Sequence, residues 1–192
     1  MSKNKTSKNI YGATIVIGLL GATAACSAGG QSNEYNLELL VSSIAARLQT
    51  ADAVALTKWD THKPVYDPQR EAAVIADVQA AAAKYQLSPS DAAAIFSDQI
   101  EANKVVQFTL LNQWRRAGNA PSTPRRDLTE IRQQLDRLQT DILQNLATVQ
   151  PLRTSPDCPA QVARSVGRVA TTDQLDAQHL AALDRAAASI CR

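Results

Sequence analysis

Several charged and amide side chains fall where helical periodicity predicts apolar ones, and these residues are the best suited to chemistry. At about 100° per residue, Arg47 and Lys58 lie at the edge of the apolar arc of one predicted helix, on nearly the same side. Asn103 and Gln107 fall inside the apolar stripe of a later helix, and Arg132 inside that of the next. Because an unpaired buried charge is very costly, each cation needs an anionic partner. The pattern favours electrostatic stabilisation of a bound anion.

These positions also have a simpler interpretation. Long basic side chains at the edge of a buried arc often extend to water. Asn103 and Gln107 could bond each other or a neighbouring helix. This alternative explains each residue singly but not the set, because few carboxylates on the same stripes can neutralise the cations. A small dianionic ligand bound between helices would supply the missing charge.

The segment HKPVYDPQRE, residues 62–71, joins two predicted helices and is unusually rich in ionisable groups. Asp67 followed by proline predicts a helix start, with Asp at the N-cap and Pro at the first helical position. Arg70 and Glu71 then lie in the first turn, where they are either solvated or part of a site. No role can be assigned to His62.

Helices must position these side chains, since the chain has no convincing strand pattern. Apolar residues recur at helical spacing, Ala is abundant and aromatic residues make up only 4%. The predicted helices cover, in order, residues 33–60, a short helix after Asp67, Ser88 to about Ala117, Asp127 to before Pro151, 160–170 and 172–191. Asp91 is expected to complete a box-like cap with Ser88. The predicted fold class is all-α, a single-domain bundle of about six helices.

The first residues form a separate segment. A basic head is followed by an apolar run and by small residues that lead to Cys26, the layout of a secretory signal peptide over residues 1–25. The alternative, a membrane anchor, needs about 20 apolar residues. The sequence TAAC resembles a loose lipobox, so lipidation of Cys26 and simple cleavage both stay open. We expect a flexible N-terminus over residues 26–36 and a helical domain over 37–192.

Removing the leader changes the charge and redox arguments. Its three lysines and lack of acids take the formal net charge from +2 for the chain to −1 for the mature protein. That balance argues against nucleic-acid binding. An exported chain meets an oxidising compartment, so Cys158 and Cys191 are predicted to form a disulfide. With two distant histidines, His62 and His179, the cysteines make no recognisable metal site.

The motifs taken together resemble the all-helical chorismate mutases of the AroQ class. Three motifs occur in that family's order: R-x10-K from Arg47 to Lys58, K-P-V-x-D-x-x-R-E over residues 63–71, and N-x-x-x-Q from Asn103 to Gln107. The leader, the C-terminal cysteine pair and Arg132 in DLTEIR are similar to the secreted gamma subclass. The resemblance covers roughly residues 37–192.

This resemblance implies a Claisen rearrangement of chorismate to prephenate that uses no cofactor, metal or covalent intermediate. It implies that Lys58 and Gln107 donate hydrogen bonds to the ether oxygen, where negative charge grows as the C–O bond breaks. The substrate-binding residues that it implies are Arg47, Arg132, Asn103, Arg70, Asp67 and Glu71. The arginines would grip the substrate carboxylates, and the two acids would contact the ring hydroxyl or order the site.

Two other functions fit the same sequence. Isochorismate pyruvate lyases share the helical fold and a similar dianion site. A helical envelope protein that binds without catalysis would have its inward polar residues contact each other rather than line an empty cavity. The resemblance further implies a homodimer, a periplasmic or secreted location and, if Cys26 is lipidated, attachment to a membrane.

Overall fold

Seven α-helices and two short 3₁₀ turns make up the part of the chain that the computed structural model describes, residues 28–192. The helices are α1 (Ala28–Leu48), α2 (Thr50–Thr61), α3 (Pro68–Ala82), α4 (Pro89–Ala117), α5 (Leu128–Thr148), α6 (Cys158–Thr172) and α7 (Ala177–Ala186). The 3₁₀ turns follow α3 and α5, over Ala83–Tyr85 and Gln150–Leu152. No strand occurs within the described residues, which confirms the all-α prediction. The predicted leader and Cys26 lie outside them.

The long first helix predicted over residues 33–60 is interrupted at Gln49, between α1 and α2. The Thr50 hydroxyl donates to the Arg47 carbonyl at 2.8 Å, a local bond of the kind that competes with the helical ladder and bends helices. With α1 and α2 counted as one interrupted helix, the described chain has the six helices that the sequence predicts. The interruption lies between Arg47 and Lys58, so it affects the relative orientation of these two cations.

The start of α1 differs from the prediction. Helix α1 begins at Ala28, before residue 33, where the sequence predicts its start. Arg168 of α6 pairs with Glu34 at 2.7 Å and with Glu38 at 2.8 Å. These two ion pairs tie the beginning of α1 to α6.

The middle of α1 lies in the hydrophobic core. Leu37, Leu40, Val41 and Ile44 are fully buried, and α1 packs against α5, α6 and α7. The segment Ser32–Thr61 is apolar and long enough to cross a membrane by length and composition alone. Its burial among the other helices identifies it as the central helix of this bundle.

The predicted start of α3 at Asp67 is confirmed. The Asp67 carboxylate accepts a hydrogen bond from the Arg70 backbone N–H at 3.1 Å. The Glu71 carboxylate accepts one from the Asp67 backbone N–H at 3.3 Å, which completes a capping box whose acid lies one residue later than usual. This reciprocal cap fixes the backbone at the point where the ionisable segment enters α3.

The C-terminal residues do not continue the helix predicted over 172–191, since α7 ends at Ala186. The guanidinium of Arg153, only 2% exposed, donates to the Ile190 carbonyl at 2.6 Å. The Arg192 backbone N–H donates to the Arg153 carbonyl at 2.8 Å. These hydrogen bonds take the place of helical ones for the backbone groups of Ile190 and Arg192. The C-terminal segment therefore leaves the helix and returns toward α6.

The predicted disulfide between Cys158 and Cys191 is present, and it joins the start of α6 to the C-terminal segment. Ser88 caps α4 as predicted, accepting from the Asp91 backbone N–H at 3.3 Å. The Asp91 carboxylate does not serve the box-like cap that we expected of it. It pairs with Arg192 instead, so an ion pair adds to the disulfide in holding the C-terminus.

His179 links α7 to α2. Its Nε2 lies 3.0 Å from the Asp52 carboxylate and its Nδ1 lies 2.9 Å from that of Asp176. The hydrogen bond to Asp52 is the largest of the causes that raise the pKa of His179 from 6.5 to about 9. The imidazolium is therefore charged at neutral pH and stabilises the contact between the two helices.

We expect the free energy of unfolding to fall as the pH rises from about 6.5 through about 9, the pKa of folded His179. A group whose pKa is raised on folding contributes fully below its unfolded pKa, and its contribution disappears as the pH passes its folded pKa. The loss should be about 1–2 kcal/mol, since both carboxylates are more than half exposed and water screens them. Urea unfolding across this range measures it. His179→Gln should flatten the dependence, and His62→Gln, at an exposed histidine, should leave it intact.

Candidate active site

A cavity of about 320 Å³ opens between the elements that carry the predicted site residues. Its walls come from the end of α1, from α2, from the segment between α2 and α3, and from α3, α4 and α5. All eight predicted site residues line it: Arg47, Lys58, Asp67, Arg70, Glu71, Asn103, Gln107 and Arg132. The cations among them therefore border one cavity, although Arg70 and Arg132 are also exposed to solvent.

Arg47 lies in the last turn of α1 and packs on an aromatic ring. Its guanidinium carbon is 5.5 Å from the centre of the Phe96 ring, a cation–π contact. It forms no ion pair with any described residue. Burial lowers the pKa of Arg47 to about 10; the charge of Arg70 adds to this effect, and Asp136 opposes it. Arg47 is half-buried, and a guanidinium without a carboxylate partner can bind one from a ligand.

Lys58 lies in the last turn of α2, and its ammonium group is held by the segment that follows. Its Nζ donates to the Val65 carbonyl at 2.6 Å. Burial lowers the pKa of Lys58, and the nearby carboxylates of Asp67 and Glu71 partly oppose that shift. This one hydrogen bond uses a single donor of the three on the ammonium group, so donors are left for a ligand.

Asn103 and Gln107 contact each other across one turn of α4. The Gln107 side-chain amide, in a residue only 5% exposed, donates to the Asn103 side-chain carbonyl at 2.6 Å. Its own oxygen has no hydrogen-bond partner among the described residues. A glutamine amide carries two N–H donors, so one is left beyond the bond to Asn103. The mutual contact is what the non-catalytic alternative predicts, yet both residues also line the cavity.

Glu71 is held by a residue that sequence reasoning missed. Lys104 of α4 contacts the Glu71 carboxylate at 3.0 Å and that of Glu101 at 2.8 Å. The same ammonium lies 5.3 Å from the centre of the Tyr66 ring. Lys104 also lines the cavity. In the sequence, only its position directly after Asn103 points to a role for Lys104. The sequence does not indicate that α3 and α4 are in contact at this point.

Arg70 and Arg132 lie at the cavity with exposed side chains. The prediction that Arg132 falls within a buried arc of its helix is wrong. Ile131 beside it is buried, but the first turns of α5 border the cavity, so the Arg132 face meets open space. Neither arginine forms an ion pair with a described residue. An exposed guanidinium at a cavity edge can bind a carboxylate that enters the cavity.

Two histidines lie away from the cavity. His62 ends α2 in the left-handed backbone region, with φ of 54°, and is exposed. His179 serves the contact between α2 and α7. In residues 28–192 no group of three His, Cys, Asp or Glu side chains is arranged to hold a metal ion.

The fold and the cavity define a class of protein. It is a helical bundle whose cavity is lined by guanidinium, ammonium and amide groups, which are donors suited to binding anions. Such a site stabilises charge and fixes a conformation. Its donors come from helices far apart in the sequence, so the packed bundle holds them at fixed relative positions.

Comparison with known proteins places this bundle in a family. Residues 34–108 match the family described as chorismate mutase type II. The crystal structure of chorismate mutase from Burkholderia phymatum is 56% identical, with a TM-score of 0.82 over 84% of this chain and 99% of that one. That of chorismate mutase from Burkholderia thailandensis is 40% identical, with a TM-score of 0.78 over 81% and 99%.

A third relative has a name that includes its location. The secreted chorismate mutase of Mycolicibacterium smegmatis is 35% identical over 153 residues, covering 80% of this chain and 84% of that protein. This chain belongs to the type II chorismate mutase family.

Proposed function

We propose that this chain catalyses the rearrangement of chorismate to prephenate in the cavity described above. The observation that carries the proposal is that Arg47, Lys58 and Arg132 line one cavity without ion pairs to described carboxylates. A doubly negative substrate supplies the missing counter-charge. Membership of the chorismate mutase family selects chorismate among small dianions.

To catalyse this reaction, the protein must restrict the conformation of the substrate and stabilise the charge that develops on it. A bond forms between the substrate side chain and the ring while the ether C–O bond breaks, and all atoms and electrons stay within the substrate. The flexible dianion must be held in a compact geometry, which removes entropy from the barrier. A rate enhancement of about 10⁶ corresponds to roughly 8 kcal/mol. Charge-assisted hydrogen bonds of about 1.5–3 kcal/mol each could supply most of it from three or four contacts.

Arg47 and Arg132 bind the two substrate carboxylates in this proposal, and Arg70 and Asn103 assist. A guanidinium can meet a carboxylate with two parallel hydrogen bonds, which fixes orientation as well as position. Phe96 supports this role because its ring holds the Arg47 guanidinium from one side. The exposure of Arg132 suits a group that first meets the substrate at the cavity edge.

Lys58 and Gln107 donate to the ether oxygen. Negative charge grows on that oxygen as the C–O bond breaks, so these hydrogen bonds are stronger in the transition state than in the bound substrate. What supports the assignment is that each residue keeps a free donor after its bond to Val65 or Asn103.

Asp67 and Glu71 order the site, and one of them can accept from the ring hydroxyl. Both carboxylates already take part in the capping box of α3. Glu71 is further engaged by Lys104 at 3.0 Å. These bonds favour an ordering role for both acids.

Incubation of the mature protein with chorismate tests the proposal, with loss of chorismate absorbance and formation of prephenate as the readout. We expect saturable turnover that a transition-state analogue inhibits. Isochorismate in a parallel reaction tests for pyruvate release by the lyase alternative. Saturable binding of chorismate without turnover would instead support a non-catalytic binding protein and overturn the proposal.

We also propose export of the chain after cleavage of residues 1–25. The name of the Mycolicibacterium smegmatis relative supports export, as does the layout of the leader. Lipidation of Cys26 is proposed from the resemblance to a lipobox. A homodimer is proposed from the resemblance to the family. The mass of the mature N-terminal peptide and light scattering of the purified protein test them.

A further inference from the structure

The connection between α4 and α5, residues 118–127, is fixed to the protein at two points. Near its start, Ala120 packs on a small apolar cluster that includes Ala55, Leu111 and Trp114. Near its end, Arg125 forms an ion pair with Asp60 of α2. The connection leads directly into the turns of α5 that border the cavity.

Arg125 engages four acceptors with one guanidinium. Its Nε and Nη2 contact the two carboxylate oxygens of Asp60 at 2.7 Å and 3.1 Å, a two-bond fork. Its Nη1 donates to the carbonyls of Pro121 and Thr123 at 2.9 Å and 2.8 Å. The same group thus shapes its own connection and fastens it to the end of α2.

This contact joins two walls of the cavity. Asp60 lies two residues after Lys58 and is followed by Thr61, which lines the cavity. Arg125 is followed in the chain by the start of α5, where Leu128 and Arg132 line the same cavity. Helix α5 packs chiefly along α1, so Arg125 and Asp60 bind its N-terminal end to α2 at the cavity.

We propose that the Arg125–Asp60 pair is a latch that positions Arg132 for substrate binding. Arg125 and Asp60 touch no substrate; they hold the beginning of α5 at a fixed distance from α2. Without the latch, the first turns of α5 move more freely, and Arg132 must be ordered when the substrate binds. The expected change in KM rests on the proposed function, whereas the expected change in the mobility of α5 does not.

Asp60→Ala tests the latch, because it removes the crossing contact and leaves the bonds of Arg125 to Pro121 and Thr123. We expect KM for chorismate to rise about fivefold and kcat to change by no more than about twofold. This pattern results when a mutation weakens the binding of the substrate and of the transition state equally. Hydrogen exchange of backbone amides in residues 119–132 should become about fivefold faster. Asp60→Glu should restore both values.

Glu38→Ala is the matched control. The Glu38–Arg168 pair has side chains 40% and 37% exposed, against 40% and 38% for Asp60 and Arg125, and neither of its residues lines the cavity. It should change neither KM nor exchange in residues 119–132. Unchanged exchange in Asp60→Ala would overturn the latch, and faster exchange with unchanged KM would overturn the positioning of Arg132. If the wild type does not turn over chorismate, the proposed function fails and exchange alone decides the latch.

Discussion

Replacing Lys58 with alanine should lower kcat by about a hundredfold to a thousandfold, the range found when one oxyanion-stabilising donor is removed. No other single substitution in the chain is expected to cost as much turnover. Lys58 is the cation assigned to the oxygen on which charge develops, so its loss falls on the transition state more than on substrate binding. We expect kcat and kcat/KM to fall together, with little change in KM.

Two measurements separate this effect from a loss of structure. Lys58 also donates to the Val65 carbonyl, so the circular dichroism and thermal unfolding of Lys58→Ala must be compared with those of the wild type. Lys84→Ala is the control for removal of a lysine, because Lys84 is exposed beside the Tyr85 ring and does not line the cavity. A folded Lys58→Ala protein with near-normal turnover would show that the ether-oxygen role is wrong.

The alkaline limb of the wild-type profile depends on the same residue. Burial lowers the pKa of Lys58 below its usual value of 10.5. The catalytic form is the charged one, so kcat should fall as the pH rises through the lowered pKa. Lys58→Arg should move this limb to higher pH, because a guanidinium holds its proton more strongly than an ammonium group in the same surroundings. An unchanged limb in a folded Lys58→Arg protein would assign it to another group.

Local chemistry made much of the fold predictable. Asp67 followed by proline fixes the start of α3, and Gly118, with φ of 79°, ends α4 in the left-handed conformation that glycine adopts readily. The 3.6-residue period placed Arg47 and Lys58 on one side of their helices. These features depend on residues close together in the sequence.

Most of the features that could not be predicted from the sequence depend on tertiary contacts. Arg168 binds Glu34 and Glu38 at the beginning of α1, although it lies more than a hundred positions away in the sequence. Arg153 determines where the last residues leave the helix, and Lys104 binds Glu71 of another helix. Arg132 is exposed because α5 borders a cavity, and periodicity alone cannot distinguish a cavity wall from a packed core. Contacts between distant segments must be known before such side chains can be placed.

Gln107 leads to a specific prediction for how the activity varies with pH. Its side chain is buried and bonds Asn103, and the amide donates a hydrogen bond at any ordinary pH. The wild type should therefore have a flat rate profile on the acid side, until the substrate carboxylates gain protons. A steep loss of activity between about pH 5 and about pH 8 would count against Gln107 as the donor.

Gln107→Glu should lower kcat/KM at neutral pH by about a hundredfold, because an ionised carboxylate cannot donate and repels the developing negative charge. The neutral acid can donate, so activity should recover as the pH falls. Burial favours the neutral form of the new carboxyl group and should move this recovery above the usual range for glutamate. The kcat/KM profile from about pH 4.5 to about pH 8 measures it.

Gln107→Met is the matched control for this substitution, since it keeps the length of the side chain and removes the donor without adding charge. Its activity should be low at every pH, with no recovery in acid. The contrast isolates the donated hydrogen bond, because both variants lose the amide and only one can regain a donor. If Gln107→Glu were as active as the wild type at neutral pH, or if Gln107→Met recovered in the same way, the oxygen that Gln107 faces would not be the one on which charge develops.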